Sequence, residues 1–394
     1  MFNKPRLLTP GPTPIPERVR LVMARNMIHH RKTAFREAMT RVQGHLQPLF
    51  GTDSPVLPLS CSGTGAMTAA VHGLFSRGEK VLVIEGGKFG ERWRNIAATR
   101  GLNAVTLHVE WGRAVDPEAV RAALDADPAV SGVLMQLSET STGVLHPVRE
   151  VAAVTRRRDV LLVADGISAV GLSPCPMDAW GIDCLLTGSQ KGLMVPPGLA
   201  LLALSARAWK KAGTVDSECF YFNLPKERAQ VEKGQTAFTS PVSLILGLAE
   251  SLDMIMEAGL DALYRKQWAL TMMARQGVRA LGLELFVPRD FAWGVTSVSL
   301  PGGVDGTRLV RLAAEKYGVY LAGGQDHLKG RILRIGHMGW VDWADLAAGL
   351  HAIAMALRDV GGYTAARDYL EQALAAYHAG LAVAPGESIP PARS

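Results

Sequence analysis

The chain reads as an α/β protein: a large, mostly parallel sheet covered by helices, followed by a smaller α+β unit. Three observations point there. Between Val56 and Leu204, short apolar runs alternate with amphipathic helical stretches, and strands that are apolar on both faces belong in a parallel sheet with helices on either side. After Pro241 the order changes to two long helical stretches, then a strand, a helix and another strand. Finally, 394 residues are many for one hydrophobic core, and 48% hydrophobic against 20% charged residues can bury a large one.

Taken in order, residues 1–16 form an arm. Its segment Leu7-Leu-Thr-Pro-Gly-Pro-Thr-Pro-Ile-Pro16 is too rich in proline and glycine for a helix or central strand. It is expected to run extended over the surface until a helix begins near Glu17. The large unit, 17–258, takes its strands from Val81–Ile84, Gly132–Met135, Leu161–Val163, Cys184–Leu186 and Leu199–Leu204. Its helices include Met67–Leu74, Pro117–Leu124 with Asp116 as N-cap, Pro147–Arg157 and Pro241–Ala258. The small unit, 259–384, has a long helix over Leu260–Leu281, strands at Val295–Leu300 and Ile332–Ile335, and a helix over Thr307–Lys316. The proline-rich tail 385–394 lacks apolar periodicity and is expected to be disordered.

The bulk numbers narrow the partners. A net charge of +6 comes from scattered arginines, and the short cluster Arg156-Arg-Arg158 reads as a solvated helix end rather than a nucleic-acid patch. Cys61, Cys175, Cys184 and Cys219 show no Cys-x-x-Cys spacing, so reduced thiols are expected and neither disulfides nor a metal site. The N-terminus lacks the apolar stretch of a signal peptide, and no run approaches the length of a membrane span. A cytoplasmic protein without membrane or nucleic-acid partners is the expectation.

Two strand ends carry the chemistry. Leu161-Leu-Val-Ala-Asp165 ends on a lone carboxylate, and Cys184-Leu-Leu-Thr-Gly-Ser-Gln-Lys191 leads from a strand into one amine, followed by Pro196-Pro-Gly198. An amine and a carboxylate at the carboxyl ends of neighbouring strands, where such sheets bind ligands, are what pyridoxal phosphate (PLP) chemistry needs. The amine forms a Schiff base with the aldehyde, and the carboxylate keeps the pyridine nitrogen protonated so that the ring can take up electrons.

Other segments allow two readings each. Ser60-Cys-Ser-Gly-Thr-Gly-Ala66 precedes a helix and serves as a phosphate cradle or as a tight strand–helix turn. Thr68 stands where a dinucleotide fingerprint would place its third glycine. Phe89, in a glycine-flanked loop after a strand, stacks on a ring or covers an edge. The hydroxyls in Glu139-Thr-Ser-Thr-Gly-Val-Leu-His146 face a phenolate oxygen or satisfy a turn. Arg334, flanked by Leu333 and Ile335, holds a carboxylate bidentately or is a partly solvated strand residue.

In their order along the chain, these segments resemble the class V, fold-type I PLP aminotransferases, most closely the alanine–glyoxylate and serine–glyoxylate group. The resemblance runs from Leu8-Thr-Pro-Gly-Pro-Thr13 to Gly339. Its most specific pieces are Ser62-Gly-Thr-Gly65, Glu139-Thr-Ser-Thr-Gly-Val144, Asp165-Gly-Ile-Ser-Ala-Val-Gly171 and Gly188-Ser-Gln-Lys-Gly192. It implies that Lys191 is the Schiff-base lysine and Asp165 the partner of the pyridine nitrogen. Ser62, Gly63 and Thr64 would cradle the phosphate beside Gln190. Phe89 would stack on the ring, where relatives often carry tryptophan, and Thr140 would place a hydroxyl near the cofactor. Arg334 would hold the substrate carboxylate.

The family's active sites are shared between the subunits of a homodimer, and Gln235-Thr-Ala-Phe-Thr-Ser-Pro241 matches the stretch contributed by the partner. Thr239 is the clearer contact and Thr236 the weaker, because a tyrosine of some relatives is missing there. The implied activity moves an amino group from a small amino acid (alanine, serine or aspartate) to glyoxylate or another small 2-oxo acid. The alternative is a class V lyase or cysteine desulfurase. Against it, Tyr320–Lys329 contains no cysteine, and Gln190 stands where desulfurases usually place histidine.

Overall fold

A computed structural model of the chain describes residues 4–383; the tail 385–394, expected to be disordered, lies outside them. Strand β1 (Arg6–Leu7) precedes helices α1 (Glu17–Met23) and α2 (Thr33–Phe50). Then come β2 (Val56–Leu59), α3 (Gly63–Leu74), β3 (Lys80–Glu85), α4 (Lys88–Arg100), β4 (Asn103–His108), α5 (Pro117–Ala126) and β5 (Val130–Gln136). A small hairpin, β6 (Ser138–Glu139) and β7 (Val144–Leu145), leads to α6 (Val148–Arg156) and β8 (Leu161–Asp165). There follow α7 (Met177–Trp180), β9 (Cys184–Gly188), β10 (Ala200–Leu204), α8 (Ala206–Ala212), α9 (Leu224–Val231), α10 (Val242–Ala258) and α11 (Leu260–Ala280). The last part holds β11 (Glu284–Leu285), β12 (Val295–Ser299), α12 (Gly306–Tyr317), β13 (Val319–Tyr320), β14 (Ala322–Gly323), β15 (Ile332–Gly336), α13 (Trp343–Gly361) and α14 (Tyr369–Ala382).

Seven strands form the large sheet in the order β2-β10-β9-β8-β5-β3-β4. Every neighbouring pair from β9 to β4 is parallel, and β10 alone runs against both its neighbours. The apolar runs β5, β8, β9 and β10 are buried almost throughout, as strands covered on both faces must be. Edge strand β4 alternates exposed and half-buried residues, which is why its sequence gave no apolar run. Helix α5 starts where Asp116 Oδ1 accepts from the backbone N–H of Glu118 at 3.0 Å, an N-cap with proline at the first helical position.

The second sheet, β11-β12-β15-β14, is antiparallel throughout. Its core is assembled from Leu270, Met273 and Val278 of α11, Leu333 and Ile335 of β15, and Leu350 and Ile353 of α13. One expectation is corrected. The arm is extended, but it does not run over the surface: Arg6 and Leu7 pair in parallel with Val319 and Tyr320. Leu8 is fully buried in the second core, and a Cβ on Gly349 of α13 would come within 2.2 Å of it. Leu8 is thus a core residue of a helix–sheet layer that begins some 250 residues later in the chain.

Candidate active site

Parallel neighbours β8 and β9 pair Asp165 with Leu186, so the Asp165 carboxylate and the turn after Gly188 emerge side by side. That turn is closed by Met194 N donating to Lys191 O at 3.1 Å and by Ser189 Oγ donating to Pro196 O at 2.6 Å. It delivers Lys191, 8% exposed, with Nζ donating to the carbonyl of Pro10 in the arm. Thr13 Oγ1 donates to Lys191 O at 3.1 Å. The arm passes so close that a Cβ on Gly11, which has φ +101°, would lie 2.5 Å from Lys191 Nζ; only glycine fits there.

Burial sets the electrostatics. It pulls the Lys191 amine down to about 8, against the pull of Asp165 upward, and Arg334 and Arg92 lower it further. Burial pushes the Asp165 carboxyl up to about 7, opposed by the Ile167 N–H that donates to Oδ1 at 2.8 Å and reinforced by the neighbouring Glu139. Burial thus opposes the charged form of both groups, as it does where side chains are tuned for proton movement.

At the start of α3, Ser62 is extended (φ −79°, ψ 170°), exposed, and makes no capping hydrogen bond. Gly65 and Ala66 donate to its carbonyl, which leaves the Gly63 and Thr64 N–H groups at the open, positive end of the helix. A Cβ on Gly63 would come within 2.3 Å of Ile167 Cδ1, so glycine lets this end sit against the Asp165 turn. The buried amide oxygen of Gln190 has no partner, leaving that amide free to turn toward a ligand.

Phe89 does not sit in a loop, as the sequence reading expected, but in the first turn of α4. The helix starts early because Glu139, fully buried, supplies the cap from another strand. It accepts from Phe89 N at 3.2 Å, Gly90 N at 3.2 Å and Ser141 N at 3.1 Å. The next residue, Thr140, donates through Oγ1 to Ser168 Oγ at 2.7 Å, and its carbonyl accepts from Arg334 Nη1 at 2.9 Å. Arg334 Nε donates to Gly323 O at 2.9 Å. Arg334 is 8% exposed rather than half-solvated, braced by two carbonyls and faced by the Glu139 carboxylate.

Lys191, Asp165, Thr140 and Arg334 are thus linked by direct bonds or mutual fields, and Gly63 packs against the same turn. Thr236 and Thr239 stand apart. Thr236, 4% exposed, donates to Phe238 O at 2.7 Å. Thr239 is exposed and borders a surface groove with Met27, Ile28 and His30.

Three further participants join the site. Arg92 donates to Thr64 Oγ1 at 3.0 Å and lies over the Phe89 ring at 4.7 Å; one helical turn from Phe89, it was findable from its spacing. In the sequence Glu139 is only the neighbour of three hydroxyls, because the helical N–H groups that it caps belong to Phe89 and Gly90. The arm's hold on Lys191 left no local signal at all.

The donor set fits PLP: a buried amine, a carboxylate beside it, and free N–H and hydroxyl groups at a helix N-terminus for a phosphate. The aminotransferase class-V family matches residues 18–336. The chain is 36% identical over 364 residues to the soluble hydrogenase small subunit of Synechococcus, covering 92% of this chain and 95% of that protein. It is 33% identical over 386 residues to the serine–glyoxylate aminotransferase of Methylorubrum extorquens, covering 93% and 96%. In three dimensions it is similar to the ureidoglycine–glyoxylate aminotransferase of Bacillus subtilis, with a TM-score of 0.91, 26% identity, and 96% and 99% of the two chains covered.

Proposed function

Because this chain belongs to the class-V aminotransferase family, we propose that Lys191, Asp165 and Arg334 are the working groups of a PLP-dependent transaminase. It carries the amino group of a small amino acid to glyoxylate or another small 2-oxo acid. The observation that carries this reading is the buried Lys191 amine after the end of β9, with the Asp165 carboxylate at the end of neighbouring β8.

PLP, when bound, supplies an aldehyde that captures the donor's amine and a ring that takes up electrons from its Cα. The chain does the rest. Asp165 keeps the proton on the ring nitrogen, and a cationic nitrogen beside it in turn holds this carboxylate ionised. The free N–H groups of Gly63 and Thr64, with the Ser62 hydroxyl and Gln190, hold the phosphate. Phe89 presents a flat apolar face to the ring, and Thr140 places its hydroxyl near the phenolate. Arg334, held by Gly323 and Thr140, keeps donors for the substrate carboxylate. Lys191 would move the proton on and off the substrate Cα, work for which an amine near 8 is suited.

Thr239, with Thr236 the weaker candidate, serves the cofactor of a second copy in a homodimer. The exposure of Thr239 beside a surface groove supports that assignment. The hydrogenase name of the cyanobacterial relative is not extended to this chain. Its site gathers an amine, a carboxylate and guanidiniums, whereas burial pushes the Cys61 and Cys175 thiols up to about 12.

The test is glycine formation from glyoxylate by PLP-loaded protein with alanine, serine and aspartate as donors. Glycine with at least one of them is expected. No glycine with any donor, but sulfide release from cysteine, would replace the reading with a desulfurase.

A further inference from the structure

The residues assigned above to the phosphate, Ser62, Gly63, Thr64 and Gln190, are all neutral. A phosphate ester near neutrality carries up to two negative charges, and Asp165 stands close to the same helix end through Ile167 and Gly63. A cradle of dipoles beside a carboxylate calls for a cation.

We propose that Arg92 is that cation, a cofactor-binding residue that recognises the phosphate both by its charge and through Thr64. This rests on the PLP reading given above. Arg92 Nη1 donates to Thr64 Oγ1 at 3.0 Å. With its lone pair so engaged, the Thr64 hydroxyl turns its own proton outward, toward an anion at the start of α3. The guanidinium is fixed in place because it lies over the Phe89 ring, 4.7 Å from its centroid. Its partners there are a neutral hydroxyl and a neutral ring, and one of its five N–H donors serves Thr64. The charge is therefore not spent on a structural ion pair at this point. The bond to Thr64 in the first turn of α3 places it at the phosphate end of the site. The helix itself sets the geometry: Phe89 and Arg92 are three residues apart and share a face. Glu139 fixes the first turn that aims them both.

The experiment compares PLP with pyridoxal, which keeps the aldehyde and ring but lacks the phosphate. Dissociation constants for both are measured by absorbance on wild-type protein, Arg92→Gln, Arg92→Lys and Thr64→Val. If Arg92 reads the phosphate, Arg92→Gln weakens PLP by about tenfold or more, in the range of a lost charge-assisted hydrogen bond. Pyridoxal affinity stays within about twofold, which also reports that the site is folded. Arg92→Lys keeps the charge but not the planar fork and loses less of the preference. Thr64→Val lowers the same ratio by a smaller factor.

Equal weakening of PLP and pyridoxal in both Arg92 variants would overturn the proposal and make Arg92 a support for Phe89. Unchanged affinity for both compounds would overturn it too. Wild-type protein that takes up neither compound refutes the PLP reading itself, an outcome distinct from the other two.

Discussion

At the scale of single residues, the two cationic groups should separate by what they hold. Lys191 is charged below about pH 8 because burial opposes its charged form only in part. Aldehyde capture needs the neutral amine, so the rate at which cofactor-free protein recaptures PLP should rise with pH through about 8 and level off above it. A flat profile between pH 6.5 and 9 would contradict the assignment. Arg334→Lys keeps a positive charge but cannot form two parallel hydrogen bonds to a carboxylate. A loss of about 1.5–3 kcal/mol, roughly ten- to a hundredfold in kcat/KM, is expected for every amino donor, with PLP binding unchanged. Wild-type turnover of alanine and serine by this variant would make Arg334 a strand residue without a substrate. Lys191 and Asp165 stand out in the sequence because each closes or follows an apolar run, and Arg334 because it interrupts one. Of Arg92 only the spacing from Phe89 was legible, and of Glu139 nothing, since their roles depend on partners brought together by the sheet.

At the scale of elements, α4 and the arm carry the decisive geometry. Glu139 ends a two-residue strand yet caps α4, where one carboxylate oxygen accepts from the N–H groups of both Phe89 and Gly90. Glu139→Ala should cost about 1–3 kcal/mol for each N–H left unsatisfied, read as a lower urea midpoint with an unaltered m-value. Unchanged stability would mean that water replaces the carboxylate without loss. In the arm, Gly11→Ala introduces a Cβ at φ +101° and 2.5 Å from the Lys191 amine. It should slow PLP capture sharply, since Lys191 must move away from its present position. The alternation of the large sheet was readable because β3, β5, β8, β9 and β10 are continuous apolar runs. Phe89 read as a loop residue because glycines flank it and its cap, Glu139, comes from elsewhere in the chain. Helices α13 and α14 gave no separate signal beyond Gly339, and the arm's burial rests on Leu8 meeting α13, a contact between opposite ends of the chain.

At the scale of the whole molecule, the arm, the large sheet and the second sheet converge on one amine. Pro10 and Gly11 approach it from the arm, Asp165 flanks it from the large sheet, and Arg334 faces it from the second sheet. No helix among the described residues is long and apolar enough to cross a membrane. If Thr239 serves the cofactor of a second copy, as proposed above, Thr239→Ala should weaken PLP retention although the residue lies far from Lys191 in the sequence. Sedimentation should show a dimer, and a fully active monomer would contradict the shared site. The most direct measurement is borohydride reduction of the PLP-loaded protein followed by peptide mapping. All of the fixed cofactor should be found on the peptide that contains Lys191, and a label on any other lysine, or none, would contradict the assignment.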